Sequence, residues 1–243
     1  MSFVAFDLEL DGAQILCAAT WRCGAEGAGK PRLWARQDED ARYSNMREED
    51  VLSLLQYLQE AIDQGAVLVS WGGTSSDWKF LHEAVSCAER KRAIRKMARE
   101  HVDIPLLACA SSGMMMGLAA TLQGMNMGTA WRSIESSAVP AFWRSRELPL
   151  QTMVLQHVAE DAYHTGAIYM SLLSQAQFGQ PVLTWVTQRN RARSLALQRI
   201  AVAHCGFGLP PVHECASWAL PHTDFPVPTQ FQMASQAGWL QEG

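Results

Sequence analysis

Asp7 and Glu9 stand two residues apart inside the apolar run FVAFDLELDG, Phe3 to Gly12. If that run is a strand, residues i and i+2 project from one face. Two carboxylates on one face can hold a hard cation, or share two, through oxygen ligands. Asp77 follows the apolar stretch AVLVSW and the pair Gly72-Gly73, where a helical pattern begins. Sites in open α/β sheets form where strands end. His157 and Asp161 are four apart in LQHVAEDAYHTGAIYMSLL, so they share one helix face about one turn apart, with His164 three residues further along. Four carboxylates and an imidazole are the equipment of general acid–base and metal-assisted hydrolysis. Each has an ordinary explanation too. Asp7 and Glu9 suit the solvent face of an amphipathic strand. Thr74 to Asp77 fits a capping box, and a His or Asp on a helix is commonly solvated or structural.

The elements that must position these groups are legible in the apolar pattern. Val4, Phe6, Leu8 and Leu10 alternate with Ala5, Asp7 and Glu9, the period of a strand with one face on the core. ILCAATWR (Ile15 to Arg22) is its expected hairpin partner across Asp11-Gly12, and RLWAR (Arg32 to Arg36) a third strand. REEDVLSLLQYLQEAIDQG carries the stripe Val51, Leu54, Leu55, Leu58 and Ile62, with Gly65 as its stop, and predicts a helix. AVLVSW predicts a buried strand and SDWKFLHEAVS the next helix. In AERKRAIRKMAREH the basic residues Arg90, Lys91, Arg92, Arg95, Lys96 and Arg99 fall all round a helix, the pattern of a solvated surface. HVDIPLLA predicts a short strand running into a helix, GLAATLQGMNMG a short helix, and Leu150 to Gln177 a long one. Three strands, a helix, a strand and a helix imply a mixed α/β sheet with helices packed on its faces. From Phe178 onward the pattern loosens.

Composition sets the bounds. The chain has 243 residues, 48% of them hydrophobic, enough for one sizeable core and an extension. A net charge of -4 argues against a protein that coats nucleic acid through bulk charge, while leaving room for a local basic groove. Arg189, Arg191 and Arg193 form one basic stretch that could contact phosphates. The six cysteines, Cys17, Cys23, Cys87, Cys109, Cys205 and Cys215, include no Cys-x-x-Cys pair, and the chain is too long to depend on a disulfide framework. His204, Cys205, His213 and Cys215 are zinc-type ligands whose spacing matches no usual finger. The N-terminus lacks a secretory pattern, and the most apolar region, Pro105 to Met127, is too interrupted for a membrane span. The expectation is a soluble, cytoplasmic protein with no membrane partner.

Taken together and in order, the motifs resemble those of the DEDD superfamily of 3′–5′ exonucleases on the ribonuclease H-like fold. Asp7-Leu8-Glu9 resembles the family's Asp-x-Glu on the first strand. LVSWGGTSSDWKFL, with Asp77, resembles its second motif, and His157-Val158-Ala159-Glu160-Asp161 its third. HVDIPLLA and GLAATLQGMNMG resemble the segment between the second and third. The chain departs from the family pattern in four places. Leu10 stands where Thr is frequent, Gly72-Gly73 where Asn-Gly is frequent, and Ser76 where an aromatic is. His157 has the tyrosine branch's spacing with the histidine branch's chemistry.

The resemblance implies an α/β, ribonuclease H-like mixed sheet flanked by helices over residues 1–178, with a C-terminal extension, 179–243. It implies a metal-dependent exonuclease acting on single-stranded DNA or RNA with a free 3′ end. Two Mg²⁺ or Mn²⁺ ions would be held by Asp7, Glu9, Asp77 and Asp161. His157 would be the general base, with His164 the competing candidate. Leu8, Leu10, Trp71, Gly72 and Gly73 would contact the terminal nucleotide. Two other readings share the same residues: a module that binds nucleic acid or protein without cutting, and another hydrolase that uses the same carboxylate face on a nucleotide.

Overall fold

The computed structural model describes residues 2–24, 27–74, 76–105, 117–125, 127 and 134–177. The extension 179–243 lies outside these residues, and with it Arg189, Arg191, Arg193, His204, Cys205, His213 and Cys215.

Alternating apolar residues form two long strands, β1 (Ser2–Asp11) and β2 (Gln14–Gly24), joined by a tight turn in which Gly12 takes φ +61°. β3 (Gly27–Ala28) and β4 (Arg32–Trp34) both pair with β2. β5 (Arg36–Gln37) and β6 (Tyr43–Ser44) make a separate two-stranded ribbon. The single third strand expected over Arg32 to Arg36 is therefore two strands in two sheets.

Helix α1 (Glu48–Asp63) buries Val51, Leu54, Leu55, Leu58 and Ala61. Its first turn holds three acids, which suit the positive end of the helix dipole, and Asp50 Oδ2 accepts from the Arg47 N–H at 2.8 Å. Gly65, at φ +78°, ends it. β7 (Ala66–Ser70), α2 (Asp77–Glu83), α3 (Ala88–Glu100) and β8 (Val102–Asp103) follow. On α3 Arg90, Arg92 and Lys96 are exposed while Ile94, Met97 and Ala98 are buried. Then come α4 (Leu118–Gly124), a 3₁₀ turn at Ser136–Ala138, α5 (Val139–Arg144) and the 30-residue α6 (Leu148–Gln177). None of the described helices is long and apolar enough to cross a membrane.

The main sheet runs β3-β2-β1-β7-β8, with β4 also on β2. β1 is antiparallel to β2 and parallel to β7, and β7 is parallel to β8. The sheet is thus mixed and has helices on both faces. Val4, Phe6 and Leu8 pack with α1, α2 and α3; Phe3 and Ala5 pack with α6. This corrects the expectation of a strand with one wet face. β1 is central, so both its faces are covered, and Asp7 and Glu9 are half-buried rather than solvated.

Helix α6 lies close on β1 and β2. Trp21 meets Tyr163 edge-on at 5.0 Å, and Phe3 meets Tyr169 at 5.2 Å. Between them stands Gly166. A Cβ there would run into Trp21 Cε3, lie 2.5 Å from Trp21 Cζ3 and 3.1 Å from Phe3 Cε2. Gly166→Ala should therefore push the helix off the sheet and destabilise the fold by about 1–3 kcal/mol, as overpacked cores do. Denaturant unfolding at constant m-value is the measurement. An unchanged midpoint would show that the crossing is looser than described.

Candidate functional site

β7 ends as β1 reaches its carboxylates, because Val69 is level with Ala5 in their parallel register. Asp7 and Glu9 therefore lie on the stretch of β1 that runs past the end of β7, on the face turned toward α6. A register shift between Glu9 and Leu10 inserts one residue into β2, so Leu16 and Cys17 both pack on that face. The Cys17 thiol is fully buried opposite Glu9. Burial, then the charges of Glu9 and Asp7, push its pKa well above the usual thiol value. Both carboxylates thus act on one point beneath the sheet surface.

α6 supplies the other half. His157 is fully buried, and its Nε2 stands 3.5 Å from Glu9 Oε1, 3.9 Å from Asp161 Oδ2 and 3.4 Å from Ser136 Oγ. Asp161 is 9% exposed. Sequence periodicity places Val158 and Ala162 on a core side opposite these two. In the structure all four are buried, because a helix lying flat on a sheet covers a wide arc of its own circumference. His164, one turn along, is half-buried and meets the Tyr163 ring edge-on at 5.5 Å. The convergence on Glu9 and Asp161 is that of His157.

Asp77 is held by a different device. It is the first residue of α2, and Ser76, not Thr74, is the N-cap. The expected capping box is not formed. Instead, Asp103 at the end of β8 accepts from the Gly72 N–H through Oδ1 at 3.0 Å and from the Thr74 N–H through Oδ2 at 2.9 Å. Beside it runs a buried chain of hydrogen bonds. The Gly73 N–H donates to Ser70 Oγ (3.2 Å), the Ser70 hydroxyl lies 2.9 Å from His101 Nε2, and His101 Nδ1 lies 2.7 Å from Ala98 O. A neutral imidazole with its proton on Nδ1 satisfies both ends. Burial holds His101 in that form, lowering its pKa to about 4 against the opposing pull of Asp103. Sequence reading missed Ser70, His101 and Asp103. The only trace of the last is an acid inside an apolar stretch, HVDIPLL.

Asp77 itself is 4% exposed, and among the described residues its Oδ2 has no hydrogen-bond partner. Burial raises its pKa to about 7, the charge of Asp103 adds to this, and the Ser76 hydroxyl, 3.0 Å from Oδ1, works against it.

The remaining expected contacts divide. Leu8 is buried, and Leu10 half-buried, in the core on the α1 side, away from the face of Asp7 and Glu9. Strand alternation alone dictates this, so Leu8 has no open side chain to offer a ligand. Trp71 is half-buried against the α6-side core. Gly72 adopts φ +77°. A Cβ on Gly73 would come within 2.5 Å of Ser70 Oγ and 3.1 Å of Asp77 Oδ2. Both glycines are thus required by the turn itself.

The donor chemistry, carboxylate oxygens from three elements, suits a hard divalent cation, and the buried Asp77 Oδ2, which has no hydrogen-bond donor among the described residues, is an oxygen such an ion could satisfy. As the side chains are placed they do not close on one ion. Among the described residues no group of three or more His, Cys, Asp or Glu side chains is positioned to hold a metal. The His157 imidazole stands in the gap between Glu9 and Asp161. The structure therefore brings together Glu9, His157 and Asp161, sets Asp7 on the same strand face, and places Asp77 on the neighbouring turn beside Asp103. Neither the family models nor the curated proteins compared with the chain gave a match.

Asp77 generates a signed pH dependence. Its folded pKa, about 7, lies above the unfolded carboxylate value of 3.8. Between these values the folded state holds a proton the unfolded state has lost, so its contribution to stability falls as pH rises from about 4 to 7 and is flat above that. His101 works oppositely, because its folded pKa lies below its usual 6.5. The clean measurement is the difference between wild type and Asp77→Asn in chelator. The variant should gain on wild type steadily from pH 4 to 7, by an order of a few kcal/mol in total. A constant difference across that range would show that Asp77 ionises as freely as a surface acid.

Proposed function

We propose that this chain is a metal-dependent 3′–5′ exonuclease that removes nucleotides from single-stranded nucleic acid. The observation that carries this reading is the meeting of Glu9 on the central strand with His157 and Asp161 on α6, at 3.5 and 3.9 Å from one imidazole nitrogen, beside Asp7. A mixed sheet with helices on both faces and acids at the end of its central strand supports the finer reading as a ribonuclease H-like fold. The free thiols Cys17, Cys23 and Cys87 are in keeping with a reducing, cytoplasmic setting.

Hydrolysis of a phosphodiester needs a water nucleophile and neutralisation of negative charge on the phosphate and the leaving oxygen. Bound Mg²⁺ or Mn²⁺, held by Asp7, Glu9 and Asp161 with Asp77 in support, would supply that charge and an activated water. His157 takes the proton as the water oxygen bonds to phosphorus, and Glu9 and Asp161 stabilise the imidazolium so formed. The phosphorus–O3′ bond breaks, and the 3′ oxygen takes a proton from solvent. The products are a nucleoside 5′-monophosphate and a strand one residue shorter with a new 3′ hydroxyl. Asp103 keeps the Gly72–Thr74 turn, and so Asp77, in place through two backbone N–H groups.

The deciding assay follows a 5′-labelled single strand with Mg²⁺ or Mn²⁺. Wild type should give a ladder that shortens from the 3′ end and stops with chelator. Asp7→Asn should remove nearly all turnover while staying folded. His157→Ala should slow turnover by about 10²–10⁴-fold, the usual contribution of a positioned base. A folded wild type that binds the strand and leaves it intact with both metals would make the chain a binding module instead. Loss of turnover in His164→Ala but not in His157→Ala would move the base to His164.

A further inference from the structure

A second feature lies two residues further along β1, at Asp11. Asp11 pairs with Arg144, which lines a cavity of about 640 Å³ between the β1–β2 turn, the β6 strand, the start of α1 and the end of α5. That volume is in the range of small-molecule sites, ~300–1,000 Å³. Its walls carry Arg47, Arg144 and Arg146, the amides of Gln14 and Asn45, and the rings of Tyr43 and Trp143. The aromatic wall is fixed. Tyr43 and Trp143 lie 6.0 Å apart at 31°, and the Trp143 indole N–H donates to Asn45 Oδ1 at 3.0 Å. Asn45 Nδ2 in turn contacts Gln14 Oε1.

The charges are arranged so that donors are left over. Arg144 reaches Asp11 Oδ2 at 3.0 Å and Pro140 O at 3.1 Å through Nε alone, and among the described residues its two Nη groups have no partner. Arg146 is tied to Asp38 and Asp40 through Nη2. The Arg47 guanidinium is exposed and has no acidic partner among the described residues. Glu48 also lines the cavity, but its Oε1 is engaged by the Ser86 N–H and hydroxyl at 2.8 and 2.9 Å. Unspent guanidinium donors beside aromatic rings and amides are what a polynucleotide asks for: charge for phosphate, a flat face and polar edges for bases.

From these facts and the nuclease reading of the carboxylate face, on which this step rests, we infer that the cavity is the subsite for the strand 5′ to the scissile bond. Asp11 is two strand residues from Glu9, about 7 Å at the usual rise, and the cavity lining starts past it in the chain, at Ala13 and Gln14. A strand whose 3′ end sits at Glu9 and His157 therefore reaches the cavity within a few nucleotides. Arg47 and Arg144 take its phosphates, and Tyr43 with Asn45 meets a base. A dinucleotide is too short to use it.

The test measures binding by anisotropy of 5′-labelled strands in chelator, over a range of salt, with DNA and RNA of two and of twelve nucleotides. The proteins are wild type and Arg47→Ala/Arg144→Ala. The double variant should bind the twelve-mer about tenfold or more weakly. Loss of two phosphate contacts should also lower the slope of log K against log salt by about 1.4, at roughly 0.7 per contact on a single strand. Dinucleotide binding should be unchanged. Arg47→Glu, which breaks no ion pair among the described residues, should show the same direction and serves if the double variant does not fold. An unchanged twelve-mer affinity and slope, or an equal loss for the dinucleotide, overturns the subsite. Cleavage by wild type with added metal is scored separately. Cleavage with an unchanged slope removes the subsite and keeps the nuclease; an arginine-dependent slope without cleavage does the reverse. Running both sugars identifies which polynucleotide the cavity takes.

Discussion

The distance at which α6 crosses β1 and β2 governs this molecule. His157 can come within 3.5 Å of Glu9 only because the helix lies nearly against the strands, and it can do so only where residue 166 has no side chain. The Trp21 ring fills the space a Cβ would need. Phe3, Trp21, Tyr163 and Tyr169 then lock the crossing by edge-on ring contacts, which fix rotation about the helix axis as well as separation. The position of an acid and a base is thus set by a packing contact between one glycine and one indole, about two and a half turns further along the helix.

The second half of the site obeys another logic. Backbone N–H groups are the handles by which the turn before α2 is held. Asp103 and Ser70 hold it by accepting from the backbone N–H groups of residues 72 to 74, where an unmet N–H is costly, and His101 in turn holds the Ser70 hydroxyl. The same placement makes Asp103 a negative neighbour of Asp77. A group that orders the turn thereby opposes ionisation of the acid the turn presents, and that acid is held in a state that welcomes a proton or a cation.

Much of this could be read from the chain, and the divide has a physical cause. Alternation placed Asp7 and Glu9 on one face of β1, and the four-residue step put His157 and Asp161 together on α6, because both are local periodicities. The central position of β1 was not local: it depends on which strands pair, so the expected wet face is covered. The split of Arg32 to Arg36 into two strands and the extra residue in β2 likewise arise from partners distant in sequence. Asp103 sits in a two-residue strand too short to show a period, and nothing near it in sequence reveals that it reaches back about thirty residues. The inward turn of His157 is a property of the helix's closeness to the sheet, which spacing alone does not encode. The extension beyond 178 has neither period nor described structure to read.

The long gap between the two halves of the site has a kinetic consequence. Glu9 and His157 lie almost 150 residues apart in the chain, so a ribosome working at about 5–20 residues per second makes the hairpin roughly seven to thirty seconds before the helix that completes it. During that interval the β1–β2 hairpin carries an uncovered apolar face bearing Phe3, Ala5, Leu16, Ala19 and Trp21. Nascent chains of this protein therefore spend much of their synthesis with a sticky sheet surface whose cover emerges only with α6. Asp7 and Glu9, charged in the middle of that surface, are also what discourages two such hairpins from stacking face to face on neighbouring ribosomes.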